Sequence, residues 1–292
     1  MHATGIVVTP LSWSDAPQAA EIMRRAYTFD YEMGAVAYEK LFGASPSGSG
    51  WALGAWINGD LAGVASGAGQ FIRILATDPP MQGRGIGNEL LKKALEYCLP
   101  NNTHMRVAAE PGNYLVPGID SRDDKTIQWL LARGFVHAQT NRNLTIDLED
   151  NKELLREKAR CCALQQSANK YKLCFIRGGG LPGLLAKTLP QTVVFEASKG
   201  IVLAALHQGA IASFAVINSN NKNLWWFGPI VTMPEHREQG LGTALTLIAL
   251  DGIGNNGHAM ETEIAWIGPL EFYTRIVPVK RMRTFFVFEA RR

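Results

Sequence analysis

The sequence predicts a mixed α/β protein of two tandem domains, each a mixed sheet flanked by helices, and three observations carry that prediction. The first is a glycine turn written twice, "QGRGIG" at Gln82–Gly87 and "REQGLG" at Arg237–Gly242, starting 155 residues apart. The second is that each turn follows a predicted strand and opens directly into an apolar segment with helical spacing. The third is length, since 292 residues suffice for two domains of roughly 150 residues that each bury a core. A period this long marks duplicated domains, because solenoid repeats run about 20–50 residues.

The elements follow in order. "GIVVTP" is a short β-branched strand, and "SWSDAPQAAEIMRRAY" a helix with Ser14 as its expected N-cap and Ala19, Ile22, Met23 and Ala26 on one face. "GWALGAWINGDLAGVASGAG" reads as two strands about a turn at Asn58-Gly59-Asp60. The strand "QFIRILATD", the first glycine turn and an amphipathic helix come next, then the strand "HMRVAAE", an irregular "PGNYLVPGIDSRDD", the helix "KTIQWLLARGF" and the strand "HAQTNRNLTIDL". The charged segment "EDNKELLREKAR" is expected to be a helix opening the second half, which places the domains at 1–149 and 150–292. "KGIVLAALHQGAIASFAVINSNNKNLWWFGPIV" then repeats three strands and two turns. The second glycine turn and helix, the strand "AMETEIAWIG", the helix "PLEFYTRIV" and the strand "TFFVFEA" complete the same order.

Composition excludes several classes. Hydrophobic residues make up 47% and charged residues 19%, which describes a globular chain and not a disordered one. The net charge of +3 is mild, and its densest basic cluster, "KRMR" at Lys280–Arg283, is read as a solvated strand end. No nucleic-acid footprint is expected, because that needs a basic face. The longest apolar run carries His207, Gln208 and Gly209 in its middle, so no membrane span is expected. The four cysteines lack CxxC spacing and read as reduced thiols, and the first residues show no export signal. A cytoplasmic protein, monomer or homodimer, is therefore expected. No histidine stands at ligand spacing from another or from a cysteine, so no metal site is expected.

A glycine turn at the start of a helix can bind an anion, because several backbone N–H groups converge and the helix dipole adds favourable potential. Glycine is required where φ is positive or where a phosphate approaches the backbone without meeting a Cβ. The dinucleotide fingerprint does not apply, since it follows the first strand of its fold, whereas here the strand before the turn is about the fourth. "RGGGLPGLLAKT" at Arg177–Thr188 mimics a phosphate loop, but Leu184 stands where a lysine should follow Gly183.

These residues resemble the GNAT superfamily of acyl-CoA-dependent N-acyltransferases, whose acyl-CoA motif is Q/R-x-x-G-x-G/A. "LATDPPMQGRGIGNELL" and "IVTMPEHREQGLGTALT" are both similar to its strand, loop and helix signature, and "NYLVPGID" and "GPLEFY" look like segments of bacterial tandem members. The resemblance implies two tandem domains, each a six- to seven-stranded mixed sheet with strands four and five splayed apart. It implies that Ala76 and Thr77, or Val231 and Thr232, pair with the pantetheine arm. The pyrophosphate is expected on Gln82, Gly83, Arg84, Gly85, Ile86 and Gly87, or on Arg237, Glu238, Gln239, Gly240, Leu241, Gly242 and Thr243.

The resemblance implies transfer of an acetyl group from acetyl-CoA to a small-molecule or peptide primary amine by direct attack in a ternary complex. The family's proton-donating tyrosine precedes the glycine of Y-x-x-x-G-F by four residues. "FYTRIVP" puts Tyr273 there with Val277 in place of the glycine, whereas "WLLARGF" keeps Gly134-Phe135 but has Leu130 at the tyrosine position. The second half is accordingly expected to carry the chemistry, with Glu261 and Glu263 as candidate bases on one face of the presumed fifth strand. The first turn is the more cationic, with Arg84 inside it and Lys92 and Lys93 after it, against Glu238 in the second. The alternative is a non-catalytic acyl-CoA-binding or regulatory protein, since fold does not fix function.

Overall fold

The computed structural model describes residues 5–30, 33–98, 104–177 and 189–291; the phosphate-loop mimic, apart from Arg177, lies outside them. In chain order they form β1 (Ile6–Pro10), α1 (Ala16–Ala26), α2 (Met33–Phe42), β2 (Gly50–Ile57), β3 (Asp60–Ala68), β4 (Phe71–Thr77), α3 (Ile86–Cys98), β5 (His104–Val107), β6 (Ile119–Asp120), α4 (Asp124–Leu131) and β7 (Val136–Asp147). There follow α5 (Lys152–Ala168), β8 (Tyr171–Arg177), α6 (Gln191–Lys199), β9 (Ile201–His207), β10 (Ala210–Ile217), β11 (Phe227–Thr232), α7 (Leu241–Asn255), β12 (Glu261–Ile264), α8 (Leu270–Ile276) and β13 (Arg281–Arg291). The chain divides into two compact units. Unit 1 runs to Asn141 and takes the residues from Thr284 onward; unit 2 is Arg142–Arg283.

In unit 1, β1, β2, β3 and β4 pair antiparallel in sequence order. The hairpin turns at Asn58 and Gly59, which take φ of 52° and 89°, as an Asn-Gly pair between strands requires. Strand β5 then joins β4 in parallel, and β13 pairs antiparallel with both β5 and the short β6. Helix α3 lays Ile86, Leu90, Leu91, Ala94 and Cys98 onto a core that includes Leu53, Ile72, Met105 and Phe288, the i, i+4, i+8 face its sequence spells out.

The start of α1 differs from expectation. Ser14 is not its cap: a 3₁₀ turn covers Trp13–Asp15, and α1 begins at Ala16 with Pro17 in its first turn. Ser12 and Asp15 close that turn, the Ser12 N–H and hydroxyl donating to Asp15 Oδ2 at 2.8 and 2.7 Å and the Asp15 N–H donating to Ser12 O at 3.1 Å.

Strands β4 and β5 part early. Their register holds only at Phe71↔Arg106 and Ile72↔Val107, and Ala108 N–H makes a last bond to Ile72 O at 2.7 Å. Ala108 and Ala109 then take positive φ of 62° and 54°, strained for residues with a Cβ, and the chain turns away. The edge of β4 at Leu75–Thr77 is left facing a gap.

In unit 2, β8, β9, β10 and β11 pair antiparallel in order, β12 joins β11 in parallel, and β7 closes against β12. The parallel pair holds at one register position, Phe227↔Ile264. Helix α7 buries Leu241, Leu245, Leu247, Leu250 and Ile253 with Leu155 and Ala159 of α5, while α6 packs Val194 and Ala197 on Val202, Phe214 and Val216. The basic run is solvated at Lys280, Arg281 and Met282, as expected, and buried only at Arg283. Lys280 bonds Asp147 and Glu261, both at 2.6 Å, and Arg283 is 7% exposed and lies 3.4 Å from Glu263. Among the described residues no helix is long and apolar enough to cross a membrane.

Candidate functional site

The first glycine turn is built from both ends. Arg25 on α1 grips Asp78, just past β4, through two bonds of 3.0 and 2.9 Å. A 3₁₀ turn over Pro79–Met81 follows, and Gly83 and Gly85 take φ of 78° and 90° before α3 starts. A Cβ added at Gly83 would touch nothing within 4 Å, and one at Gly85 only Ile6 at 4.0 Å. Conformation holds glycine here, and the space above the turn is open. The Gln82 amide donates to Thr77 O at 3.3 Å and its oxygen accepts from Lys125, which ties the turn to the end of β4 and to α4.

A cavity of about 430 Å³ extends from this turn into the β4/β5 gap, lined among others by Tyr27, Leu75, Thr77, Gly85, Ala108 and Trp129. That volume suits one small-molecule ligand. Tyr27 ends α1, its N–H bonded to Met23 O at 3.0 Å, and its hydroxyl accepts the Leu75 N–H at 3.4 Å. Burial, with the Asp30 and Asp123 carboxylates nearby, pushes its phenol above the ordinary tyrosine range. On the α4 side, the Arg133 guanidinium lies 3.9 Å over the Trp129 ring and bonds Asn88 Oδ1 at 2.8 and 2.5 Å.

The second turn repeats this backbone with different contents. Arg237 Nε reaches Thr232 O at 3.5 Å, as Gln82 reaches Thr77. Gly240 takes φ 75° and Glu238 φ 62°, the position matching Gly83. Gln166 of α5 lies beside this turn, 1% exposed, with its Nε2 donating to Gln239 O at 3.0 Å. A Cβ at Gly240 would meet that nitrogen at 3.4 Å, and one at Gly242 the Phe272 ring at 3.3 Å.

The residues named from the sequence fall as follows. Gln82, Gly83, Gly85, Ile86, Gly87, Ala76 and Thr77 line the cavity, whereas Arg84 is exposed and is not among its lining residues. Lys92 is exposed and Lys93 is paired with Glu96 at 2.5 Å. In unit 2, Val231 and Thr232 lie in the ladder with β10, and Leu241 is buried at the start of α7 before Gly242 and Thr243. Tyr273 is 6% exposed within the unit 2 core, edge-on to Phe272 at 4.9 Å, and burial raises its phenol to about 12. Glu263 accepts from Asn143 at 2.5 Å and from Arg283, while Glu261 is paired with Lys280. Leu130, at the position matching Tyr273, is fully buried and contributes only hydrocarbon to the cavity wall.

Tyr27, Lys125 and Arg133 are the functional candidates that sequence reading does not find. Each lies far along the chain from the glycine motif, and Tyr27 and Lys125 belong to no motif, while Arg133 fills a free position of the segment compared with Y-x-x-x-G-F. The available signal is that Lys125 opens the helical segment "KTIQWLLARGF" and Arg133 directly precedes its Gly134-Phe135. Among the described residues no three His, Cys, Asp or Glu side chains are placed to hold a metal.

Residues 16–114 match the model of the acetyltransferase (GNAT) family. No curated protein matches the chain. Among solved structures, the chain is similar to a GCN5-related glucosamine N-acetyltransferase region of a fungal multi-domain GH3 beta-N-acetylglucosaminidase, with TM-score 0.73, 16% identity and 98% of this chain covered. It spans only 38% of that protein. A tandem GNAT protein from the clavulanic acid biosynthesis pathway aligns over 98% of both chains at TM-score 0.69 and 16% identity. A GCN5-related N-acetyltransferase from Sphaerobacter thermophilus aligns over 100% of this chain and 97% of its own, at TM-score 0.59 and 13% identity. At these identities the likeness establishes the fold, a tandem pair of GNAT units.

Proposed function

We propose that this tandem GNAT-fold chain is an acyl-CoA-dependent N-acyltransferase, transferring an acetyl group from acetyl-CoA to a primary amine of a small molecule or peptide, with the acyl donor bound in unit 1. One observation carries the placement: the open turn at Gly83 and Gly85 sits at the mouth of a cavity of about 430 Å³ that reaches the β4/β5 gap. A pyrophosphate fits the turn's amides, with Lys125 and Arg133 on the adjoining wall. The pantetheine arm fits the gap, where it adds to the β4 edge as a strand would. In the reaction the amine nitrogen bonds to the thioester carbonyl carbon, the C–S bond breaks, and the departing thiolate takes up the proton that the amine gives up. Holding both reactants in one cleft supplies most of the acceleration.

The expectation that Tyr273 and unit 2 carry the chemistry has less support. Gln166 lies against the second turn, Tyr273 is packed in the core, and Glu261 and Glu263 are both engaged by cations. Leu130 favours the second reading, an acyl-CoA-binding protein without turnover, since the usual phenol is missing from α4 of unit 1.

Isothermal titration of acetyl-CoA into the wild type and into Gly85→Glu and Gly240→Glu tests the placement. Binding lost in Gly85→Glu and kept in Gly240→Glu is the expected result. Loss in Gly240→Glu alone moves the site to unit 2, and no binding to the wild type rejects the reading. Release of free CoA thiol with a panel of primary amines separates the enzyme from the binder.

A further inference from the structure

We propose that the Tyr27 hydroxyl is a further donor to the thioester oxygen of the acyl donor, beside the β4 backbone contact that the acyl-CoA reading already supplies at Leu75 N–H. The proposal rests on the acyl-CoA reading of unit 1. Both residues line the cavity, and the two groups already point at one another across 3.4 Å. Leu75 lies on β4 beyond Ile72, where the register with β5 ends, so its N–H faces the gap instead of a strand. A contact of 3.4 Å is at the long limit for N–H to oxygen. It is therefore weak enough to yield to a carbonyl oxygen that accepts from both donors.

The backbone that carries Tyr27 is held in place, so only the hydroxyl has to turn. The Tyr27 N–H is bonded to Met23 O at 3.0 Å and the Tyr27 carbonyl accepts from Asp30 N–H at 3.2 Å, which fixes that backbone on both sides. Burial, together with the Asp30 and Asp123 carboxylates, disfavours the phenolate, and the hydroxyl keeps its hydrogen as a donor through the neutral range. Negative charge grows on the thioester oxygen as the amine attacks, and donors fixed in advance stabilise that charge most. Tyr27 thus brings to the cleft, from the end of α1, the phenol that α4 lacks at Leu130.

The test needs no acceptor amine. Acetyl-CoA labelled at its carbonyl carbon is bound to the wild type, to Tyr27→Phe and to protein carrying a fluorinated tyrosine at position 27, and the infrared carbonyl band is recorded. The band is expected at lower frequency in the wild-type complex than free in solution, lower still with the more acidic fluorinated phenol, and shifted back toward the free value in Tyr27→Phe. Affinity for acetyl-CoA is expected to hold within about threefold, as for the loss of one weak hydrogen bond. Coincident bands in wild type and Tyr27→Phe overturn the assignment of Tyr27 while leaving the acyl-CoA site standing. A wild type that binds no acetyl-CoA overturns the site itself, and this donor with it.

Discussion

Arg73 clasps Glu110 through two hydrogen bonds of 2.8 and 2.9 Å, with the two side chains 1% and 0% exposed. Arg73 stands on β4 and Glu110 follows β5 by three residues, so the pair bridges the place where the two strands part. Arg73 also donates to Lys40 O at 2.7 Å, Ser45 donates to Glu110, and the buried Lys40 ammonium bonds Asn113 at 2.9 Å. Breaking one side of such a pair leaves an uncompensated charge indoors. Arg73→Met or Glu110→Gln alone is expected to cost about 3–5 kcal/mol. Arg73→Met with Glu110→Leu is expected to cost less than the two single changes together. Urea denaturation checks this, and single-variant losses below about 1 kcal/mol would contradict it.

The Lys280 ammonium beside Asp147, with backbone N–H bonds from Asp150 and Glu149, holds the Asp147 carboxyl below its ordinary 3.8. The depressed carboxyl is the folded one, so the unfolded chain takes up this proton first as pH falls. Its stabilisation is fully present above about pH 4 and is lost as pH drops through the lower folded value. Asp147→Asn is expected to lower stability at neutral pH and to flatten the acid limb of a plot of stability against pH. An acid limb identical in slope to the wild type would show that Asp147 contributes nothing.

Glu238 occupies a left-handed position, φ 62°, that Gly83 fills in the first turn with φ 78°. A side chain there costs about 1–2 kcal/mol, and glycine returns roughly 0.5–1 kcal/mol of that through its looser unfolded chain. Glu238→Gly is therefore expected to raise stability by about 0.5–1 kcal/mol. A thermal melt that falls instead would mean the Glu238 side chain makes a compensating contact.

Local chemistry made much of this fold legible. Asn58-Gly59 announces its hairpin, and the apolar spacing of Ile86, Leu90 and Ala94 announces α3, because each signal lies within a few residues of its effect. Helix α2 is different: "MGAVAYEKLF" carries Gly34 and Val36, poor helix formers, and a lysine whose ammonium is wholly buried. The Glu39 carboxylate at 3.2 Å and the Asn113 carboxamide at 2.9 Å, the latter distant in sequence, make that burial tolerable. The candidate site divides the same way. Its glycines are visible as a motif, whereas Tyr27 and Arg133 meet the turn from α1 and α4. Arg283 was hidden likewise, since its partner Glu263 is on another strand.

Strand β13 has a consequence for how the protein is made. Phe285 and Phe288 are 0% and 1% exposed, and Phe288 sits opposite Val107 of β5 in the core of unit 1. These residues leave the ribosome after all of unit 2. Throughout synthesis of unit 2, nascent unit 1 therefore waits with an unpaired edge at β5 and a hole in its core, the kind of surface that chaperones guard. A change that removes β13 would damage the unit translated first.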